Sequence, residues 1–531
     1  MQDSREKTTV PEQQKAPRGR NGSGDWRPKK QDYLVLGSLA LVSLVVALDS
    51  TILITSLPAI SRDLGGTATE AFWAATSYLL TYAVLQPVVA SVSDVFGRRS
   101  SLFVSVLLFT IGSLIACLAK NFACLLAGRT IQGIGGGGVM VLVLVIATDM
   151  IPLRYLPKYQ GIVQIAWAIG TMSGPLIGGV FAQLTTWRWV FYINFPICGA
   201  GLLLVLFTIP AGVPAGTAKE RAATIDFVGA AMLVASFTTF LVAITLGGTT
   251  FPWGTVHIVL PLVLGTLGIA ATFAWELLGA QSPILRSSLF QRRFSTVPYI
   301  CAFLQGVLLM GTFYYFAIYL NAVKRLTPIL TGTALLAATV SLIPASIISG
   351  ILVTKFGQLR LFIVTGWALT ILATGLLSLC NRATSTAEWV WFLIIIGAGH
   401  GILVVGHVYA AQANVSFENA TNATAFCCFT RSLGFCSGVA IGGSIVQNTL
   451  TAKLRDRGLS GSIATDAVSY AGMLRSLPAD AQRTIVLMDV FSEAFRVLAF
   501  ILTGVAGLGG VASFMVPRYV SGFMASRQGE V

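Results

Sequence analysis

Long apolar runs limit what this chain of 531 residues can fold into more than any other feature. A run of about 20 apolar residues crosses the hydrocarbon core of a bilayer as an α-helix. Only 11% of the residues are charged, against about 25% in soluble proteins, and the mean hydropathy is +0.78. The sequence therefore predicts an all-α membrane protein. We expect fourteen spans, at 33–57, 71–92, 100–119, 123–149, 159–182, 188–210, 224–247, 255–278, 296–321, 331–353, 359–380, 388–411, 423–448 and 491–516.

The positive charges predict the orientation of these spans. With both termini inside the cell, the cytosolic segments hold 21 Lys and Arg, and the short loops on the other side hold 6. This asymmetry satisfies the positive-inside rule. Residues 1–32 then form a disordered cytosolic tail, 517–531 a second cytosolic tail, and 449–490 a long extracytoplasmic loop. The net charge of +14 is explained by topology, so we expect the lipid bilayer and not nucleic acid as the partner of this chain.

Several functional classes leave no trace in the sequence. Neither a GxxxxGK[ST] loop nor a strand-placed GxGxxG occurs, which disfavours ATP-driven transport. The three His and eight Cys have no metal-ligand spacing, and no nucleophile–base pair is visible within a span. We therefore expect no enzyme activity, no cofactor and no metal. Cys117 and Cys124 flank a short loop, where the sequence leaves open whether they are apolar filler or a disulfide.

Residues 170–179, GTMSGPLIGG, combine a bare helix face with a proline. Gly170, Gly174 and Gly178 recur every four residues, and Gly179 follows. Such small-residue stripes let a second helix approach closely in lipid. Pro175 removes one backbone donor at the same place and is expected to bend the helix. The combination favours a helix that packs closely and still moves.

Two charged residues lie well inside predicted spans. Arg129, in LLAGRTIQGIGGGG, costs at least about 2.5–3.5 kcal/mol to insert and must face a cavity or a partner. Asp49 lies late in the first span, where a buried carboxylate either pairs or has a raised pKa. Both suit proton coupling, because protonation of Asp49 changes its charge. A purely structural role remains the alternative for each residue.

The loop 93–99, SDVFGRR, joins the second and third predicted spans on the cytosolic side. Asp94, Arg98 and Arg99 together can form a salt-bridge latch. Asp149, at the cytosolic end of the fourth span, is the expected partner of Arg98 or Arg99. The positive-inside rule alone explains the arginines but not Asp94.

Other polar residues within spans are candidates for a substrate cavity, although helix packing explains each one singly as well. Arg431 lies near the cytosolic end of its span, where snorkelling to the surface is the alternative. His400 and His407 are seven residues apart on one helical face and could relay protons or be structural. The further candidates are Gln86, Gln132, Gln164, Trp167, Asn194, Gln305, Tyr314, Tyr315 and Tyr319.

Taken together, these motifs resemble the major facilitator superfamily, and within it the fourteen-span drug:proton antiporter branch. The loop 93–99, the Arg129 segment and the 170–179 stripe resemble the superfamily motifs of the second-to-third-span loop, the fourth span and the fifth span of antiporters. The segments LDST at 48–51 and WRWVFYINFP at 187–196 resemble signatures of the fourteen-span branch. The tails and the long loop resemble those of fungal members, which include exporters of self-made toxins and multidrug pumps.

The resemblance implies two six-helix bundles, at 33–210 and 296–516, joined by two inserted helices at 224–278 and enclosing a cavity that opens alternately to each side. It implies that Arg129 takes part in proton coupling, Asp49 in coupling or gating, and Asp94, Arg98 and Arg99 in a cytosolic latch. We expect the glycine stripe to pack on a helix of the other bundle. One departure is the second-half copy of the loop, GILVTKFGQLR at 350–360, which has Thr354 where the acid belongs.

The expected function is proton-coupled export of small amphipathic compounds by a monomer, in the plasma membrane or alternatively the vacuolar membrane. The first alternative is a proton-linked transporter of another solute, such as vacuolar basic amino acids or an iron chelate. A second alternative is a membrane receptor or scaffold, which would not need Asp49, Arg129 and a flexible Pro/Gly helix together. Asp49 is the one acid that we place well inside a span, and this favours neutral or lipophilic solutes.

Overall fold

The chain is all-helical in a computed structural model that describes residues 28–65, 68–151, 156–211, 217–292, 294–416, 419–465, 467–475, 477–478, 481–516 and 518. Within these residues, twelve helices are long and apolar enough to cross a membrane. The number becomes thirteen if two helices that meet at a bend of 45° are one span. A multi-pass membrane protein is therefore confirmed, whereas the predicted count of fourteen spans is not reached by this criterion.

The helices follow one another with short connections. The first part of the chain contains α1 (Lys30–Leu64), α2 (Ala68–Val84), α3 (Gln86–Phe96), α4 (Arg98–Cys117), α5 (Phe122–Met150), α6 (Leu156–Leu184), α7 (Trp189–Tyr192) and α8 (Asn194–Thr208). The middle contains α9 (Ala218–Ala222), α10 (Phe227–Leu246) and α11 (Val256–Leu278). A 3₁₀ turn at Ser287–Leu289 is followed by α12 (Val297–Ala322), α13 (Pro328–Phe356), α14 (Leu359–Leu377), α15 (Thr386–Ala413), α16 (Ala420–Asp456), α17 (Ser462–Thr465), α18 (Ala467–Met473) and α19 (Gln482–Ser513).

Each predicted span overlaps one of these helices or helix pairs, but several boundaries differ. Helix extends into both ends of the predicted loop 449–490, because α16 continues to Asp456 and α19 begins at Gln482. The predicted tail 1–32 gives way to helix at Lys30. Most of the two predicted tails, 1–27 and 519–531, lies outside the described residues. Polar residues extend these helices beyond their apolar runs, and hydropathy alone does not predict such extensions.

Polar side chains cap the helices where their first backbone N–H groups would otherwise lack partners. Asn121 accepts from the Cys124 N–H at the start of α5. Asp226 and Thr327 do the same for α10 and α13. A capping box of Ser385 and Glu388 opens α15. These caps fix where the four helices begin.

Helices α1 to α8 and α12 to α19 form two packed groups, called here the first half and the second half. In the first half, α1 packs on α6 and α8, and α4 packs on α5. In the second half, α12 packs on α16, and α15 packs on α13 and α14. The halves meet through α6 with α13 and through α2 with α16. Helix α10 contacts both α2 and α16, while α11 packs on α10 and is mostly exposed to the surroundings.

The glycine stripe of α6 packs against α1 of its own half, so the expectation that it faces the other half is wrong for most of the stripe. A methyl group at Gly170 would lie 2.9 Å from the Ala47 Cβ, and one at Gly174 would lie 2.8 Å from the Leu48 carbonyl oxygen. Only Gly179 meets the second half, where a methyl group would lie 2.7 Å from the Pro328 carbonyl carbon in α13. Spacing predicts close approach but does not identify which neighbour approaches.

Pro175 is compensated by α1. Because proline has no N–H, it cannot donate to the Thr171 carbonyl one turn earlier. The Thr51 hydroxyl of α1 donates to that carbonyl at 3.0 Å, and the Thr55 hydroxyl donates to the Pro175 carbonyl at 2.7 Å. The proline and the glycines thus join α6 to the helix that carries Asp49.

All eight cysteines of the chain are free thiols, so Cys117 and Cys124 are not joined. Cys117 is buried at the end of α4, and its thiol donates to the Leu114 carbonyl at 3.1 Å. The apolar-filler interpretation of these cysteines therefore fits the structure.

Candidate functional site

The two charged residues that lie deepest in predicted spans form an ion pair. Arg129 Nη1 of α5 lies 2.5 Å from Asp49 Oδ2 of α1. The side chains are 1% and 0% exposed, respectively. Each charge therefore has the opposite charge as its partner, which offsets the cost of burying both in a membrane.

Three uncharged residues hold the Asp49 carboxylate in place. Asp49 Oδ1 accepts from Gln132 Nε2 at 3.2 Å and from Asn194 Nδ2 at 3.0 Å. Both amides also donate to the Ser113 hydroxyl, at 2.6 and 3.3 Å. The carboxylate is thus fixed by α4, α5 and α8 of its own half. Gln132 and Asn194 belong to this network, whereas the sequence suggested a substrate cavity for them.

The remaining groups of Arg129 are satisfied within the first half as well. Its Nε donates to the Ala74 carbonyl at 3.2 Å, and its Nη1 donates to Gln132 Oε1 at 2.8 Å. The guanidinium carbon lies 4.2 Å from the centre of the Tyr78 ring, a cation–π contact. The sequence analysis did not identify Ser113 and Tyr78 as site residues, because a single Ser or Tyr in an apolar run has no distinctive pattern.

A second polar cluster lies where α3 and α4 meet. Gly97 reverses the chain with a φ of 93°, a conformation that favours glycine, and so places Arg98 next to Asp94. Arg98 Nη2 lies 2.6 Å from Asp94 Oδ1, and Arg98 Nε lies 2.9 Å from Asp149 Oδ2. Arg99 forms no ion pair within the described part of the chain. The sequence left open whether Arg98 or Arg99 pairs with Asp149, and in the structure Arg98 forms this ion pair.

This cluster also contacts the second half. The Thr421 hydroxyl, in the first turn of α16, donates to Asp149 Oδ1 at 2.9 Å. Asp149 therefore bridges Arg98 of one half and Thr421 of the other. The groups are partly exposed, with Arg98 and Asp149 at 24% and 38%. Such an arrangement is strong enough to favour one geometry and weak enough to break repeatedly.

Between the halves lies a small cavity of about 10 Å³, roughly the volume that one water molecule requires. Gln164 and Trp167 of α6 line it from the first half, and Arg431 of α16 lines it from the second. The other lining residues are Tyr82, Met140, Val404, Cys428, Ser432 and Phe435. Beside it, Gln86 Nε2 donates to the Ser432 hydroxyl at 2.8 Å and ties the halves together. In this structure the cavity is too small for an organic ligand.

Arg431 does not reach the surface, so snorkelling does not explain it. Its side chain is 5% exposed and lines the cavity between the halves. Its Nη1 donates to the Val404 carbonyl at 3.5 Å, and its Nη2 has no hydrogen-bond partner among the described residues. No carboxylate among the described residues forms an ion pair with it. The rotation of α16, which the sequence does not show, turns this arginine inward.

The remaining predicted cavity residues lie within the second half. His407 Nδ1 lies 3.0 Å from Gln305 Oε1, and Gln305 Nε2 donates to the His400 backbone carbonyl at 3.2 Å. Both rings are buried, and within the described part of the chain neither ring nitrogen of His400 has a hydrogen-bond partner. The Tyr315 hydroxyl donates to the Val439 carbonyl at 2.6 Å and so joins α12 to α16. Neither histidine nor Tyr315 lines the cavity between the halves.

The described residues contain no group of three or more His, Cys, Asp or Glu side chains that could hold a metal ion. One buried acid escaped the sequence analysis: Glu276, at the end of α11, is 2% exposed and accepts from the Leu285 N–H at 3.1 Å. This carboxylate caps the turn after α11 and lies outside the polar clusters described above.

Two helical halves with their polar groups at and near a central contact define a class of proteins, the helical membrane transporters. The chain belongs to the Major Facilitator Superfamily, which it matches over residues 39–442. It is similar in fold to the crystal structure of a bacterial homologue of the human lysosomal transporter Spinster, in an inward-facing and unoccupied conformation. The TM-score is 0.58 at 16% identity, covering 92% of this chain and 98% of the other.

The chain is also similar in sequence to fungal transporters. It is 35% identical over 486 residues to MFS transporter L2 of a Phoma species, covering 91% of this chain and 81% of the relative. It is 34% identical over 527 residues to the acurin A biosynthesis cluster MFS-type transporter of Aspergillus aculeatus, covering 96% and 92%. It is 32% identical over 495 residues to efflux pump FUS6 of Gibberella moniliformis, covering 91% and 87%. These findings confirm the predicted family, and they confirm a transporter rather than an enzyme.

Proposed function

We propose that this protein exports small amphipathic compounds across a membrane in exchange for protons, by alternating access of its two halves. The observation that carries the proposal is the buried pair of Asp49 and Arg129, which places one protonatable carboxylate inside the helical bundle. Further support comes from the relatives, several of which are named efflux pumps or secondary-metabolite transporters. The names of the relatives support export, and the buried carboxylate supports the exchange for protons.

The proposed architecture follows the family. Fourteen spans form two six-helix bundles, at 33–210 and 296–516, joined by two inserted helices at 224–278. Both termini lie in the cytosol, so the cluster of Asp94, Arg98 and Asp149 is at the cytosolic end. The protein acts as a monomer in the plasma membrane.

The proposed coupling step is protonation of Asp49. A proton that binds a carboxylate oxygen of Asp49 removes the negative charge that Arg129 neutralises, and the ion pair is lost. Helices α1 and α5 then no longer attract each other through this pair, which favours a different relative position of the first half. Release of the proton on the other side of the membrane restores the pair, so proton binding and access alternate.

The energetics permit concentrative export. At a membrane potential of about 100 mV, moving one charge releases about 2.3 kcal/mol. One proton per cycle therefore sustains roughly a 50-fold gradient of a neutral solute, before any pH gradient is added. Breaking the partly exposed Arg98–Asp149 contact in each cycle costs about 0–1 kcal/mol, well within this amount.

The test is an accumulation assay in a pump-deficient yeast that expresses the tagged protein. A panel of neutral, anionic and cationic toxic amphiphiles is screened for resistance, and the tag shows the membrane. Cells are then loaded with each protective compound, with and without a protonophore. We expect lower accumulation in expressing cells and loss of the difference with the protonophore, because the potential that drives the exchange is then lost.

Asp49→Asn is the decisive variant, because Asn cannot take up a proton. We expect it to export nothing against a gradient, and the tag verifies that the variant still reaches the membrane. Asp63→Asn is the matched control, since Asp63 lies on the same helix but pairs with Arg188 at 2.9 Å and is half exposed. Wild-type export by Asp49→Asn, or export that survives the protonophore, would overturn proton coupling.

A further inference from the structure

The observation that the proposed mechanism leaves unused is Arg431. Its guanidinium is buried between the halves, one terminal nitrogen has no hydrogen-bond partner, and no described carboxylate pairs with it. A buried unpaired charge is costly in a membrane protein and marks a functional group or a missing partner. The contrast with Arg129, which has a carboxylate and further partners, shows that this fold can neutralise an arginine where it needs to.

We infer that Arg431 binds the negative charge of the transported compound, which is an organic anion with an aromatic or apolar body. A carboxylate, a sulfonate or an ionised enol each supplies the charge and the acceptor atoms that Arg431 lacks. A neutral solute would leave the guanidinium unpaired, and a cation would be repelled by it. The inference rests on the proposed export function, for which it narrows the substrate class.

The other walls of the cavity fit the apolar body of such an anion. Trp167 and Tyr82 of the first half and Phe435 of the second half present aromatic surface next to Arg431. Gln164 lines the same cavity from the first half, is buried, and its Oε1 has no hydrogen-bond partner among the described residues. The charge lies on one half and most of the aromatic surface on the other, so an anionic amphiphile would contact both.

The site also lies where binding can affect access. Ser432, next to Arg431 in sequence, accepts from Gln86 across the halves at 2.8 Å. The cavity holds about 10 Å³ in this closed state, so an organic ligand requires the halves to separate there. Separation at Ser432 breaks the hydrogen bond beside Arg431. A ligand that occupies the opened cavity therefore favours a different relative position of the halves.

The test is equilibrium binding to the purified full-length protein, measured by thermal stabilisation. The probes are 2-naphthalenesulfonate, its neutral amide 2-naphthalenesulfonamide, and methanesulfonate, which has the charge but no aromatic body. We expect the wild type to bind the naphthalenesulfonate about 10- to 100-fold more tightly than either of the others. In Arg431→Gln the preference over the sulfonamide should vanish.

Two further variants keep the test decisive if Arg431→Gln does not fold. Arg431→Lys should keep the preference for the sulfonate with weaker binding, because lysine retains the charge but not the planar fork. Gln164→Glu should abolish it, because the new carboxylate competes for Arg431 from the facing wall. Arg496→Gln controls for the loss of one positive charge, since Arg496 is exposed on α19 and donates to the Ser378 carbonyl.

Four results would overturn the inference: no stabilisation of the wild type by the sulfonate, equal binding of sulfonate and sulfonamide, equal binding of methanesulfonate, or undiminished selectivity in both Arg431→Gln and Gln164→Glu. Binding needs neither a proton gradient nor net transport. A protein that binds the sulfonate through Arg431 but exports nothing would refute the proposed function and leave the binding site intact. Export by a protein that shows no preference for the sulfonate would support the proposed function and refute the binding site at Arg431.

Discussion

Two buried arginines, one in each half of the molecule, differ in what surrounds them. Arg129 lies in the first half, pairs with Asp49 and packs on Tyr78. Arg431 lies in the second half beside the central cavity, with one weak backbone contact and an unpartnered nitrogen. The two arginines are thus similarly buried, but the protein supplies a carboxylate partner for Arg129 and none among the described residues for Arg431.

This difference assigns separate tasks to the two halves. In the first half, a closed network changes only if its own carboxylate takes up a proton, so it suits the coupling ion. In the second half, an unpaired guanidinium facing a cavity suits a ligand that arrives from outside. The helices that contain the two arginines, α5 and α16, are in contact with each other. A shift of either network can therefore be transmitted to the other through these helices.

The largest expected effect is a difference in the free energy of unfolding between variants of the two arginines. Arg129→Gln leaves the Asp49 carboxylate buried and unpaired, so the free energy of unfolding should fall by about 3–5 kcal/mol. Arg431→Gln removes a buried charge that has no ion-pair partner among the described residues, so we expect the free energy of unfolding to stay the same or to rise. Unfolding of the purified variants in a denaturant titration measures both values.

The double variant Asp49→Asn with Arg129→Gln serves as the control for this prediction. Removing both charges should recover much of the stability lost in Arg129→Gln alone, because no buried charge is left unpaired. Equal losses for Arg129→Gln and Arg431→Gln would mean that Arg431 has a partner in the protein, and the contrast between the halves would fail.

A smaller effect tests what positions Asp49. Gly174 faces the turn of α1 that contains Asp49, and a methyl group there would lie 2.8 Å from the Leu48 carbonyl oxygen. Gly174→Ala should therefore lower the free energy of unfolding by about 1–3 kcal/mol through overpacking and should slow export. Gly504→Ala is the matched control, since nothing lies within 4 Å of a methyl group at Gly504. If the two variants behave alike, close α1–α6 packing does not position Asp49.

Much of the fold was predictable from the sequence, because each apolar run predicts one membrane helix independently of the others. A charge within such a run is equally visible, which is why Asp49, Arg129 and Arg431 stand out without a structure. The pairing of Asp49 with Arg129 was not predictable, because it depends on α1 and α5 being neighbours across 80 residues of chain. A stripe such as Gly170–Gly178 predicts close approach, yet both candidate partners, α1 and α13, are equally apolar.

Rotation of a helix about its axis limited the interpretation of the remaining residues. The sequence places Arg431 near the end of a span, where an outward rotation gives snorkelling and an inward rotation gives a cavity residue. The helix is 37 residues long and most of its central part is buried, so no apolar stripe shows which side faces inward. Gln132 and Asn194 were open to a cavity role for the same reason, and the structure turns them toward Asp49.

The smallest expected effect concerns the ends of the two halves. In the first half, Arg98 contacts the carboxylates of Asp94 and Asp149. In the second-half copy of the loop, Gln358 stands where Arg98 belongs, and the arginine of that copy, Arg360, donates to the Val516 backbone carbonyl at 2.7 Å. A double-mutant cycle of Arg98→Gln and Asp149→Asn should give a coupling of about 0.2–1 kcal/mol in stability, because both groups are partly exposed.

The double-mutant cycle is a better test of this ion pair than exchanging its two charges with Arg98→Asp and Asp149→Arg, because an acid at position 98 would face Asp94. Export rates measured on the same variants should fall by a few-fold for each single change, as Asp149 also holds Thr421 of the other half. Arg360→Gln should leave the rate close to that of the wild type, because its partner is an uncharged carbonyl in its own half. Additive effects of Arg98→Gln and Asp149→Asn, or an equal loss of rate in Arg360→Gln, would mean that the acid-lined loop has no special role in closing the first half on the second.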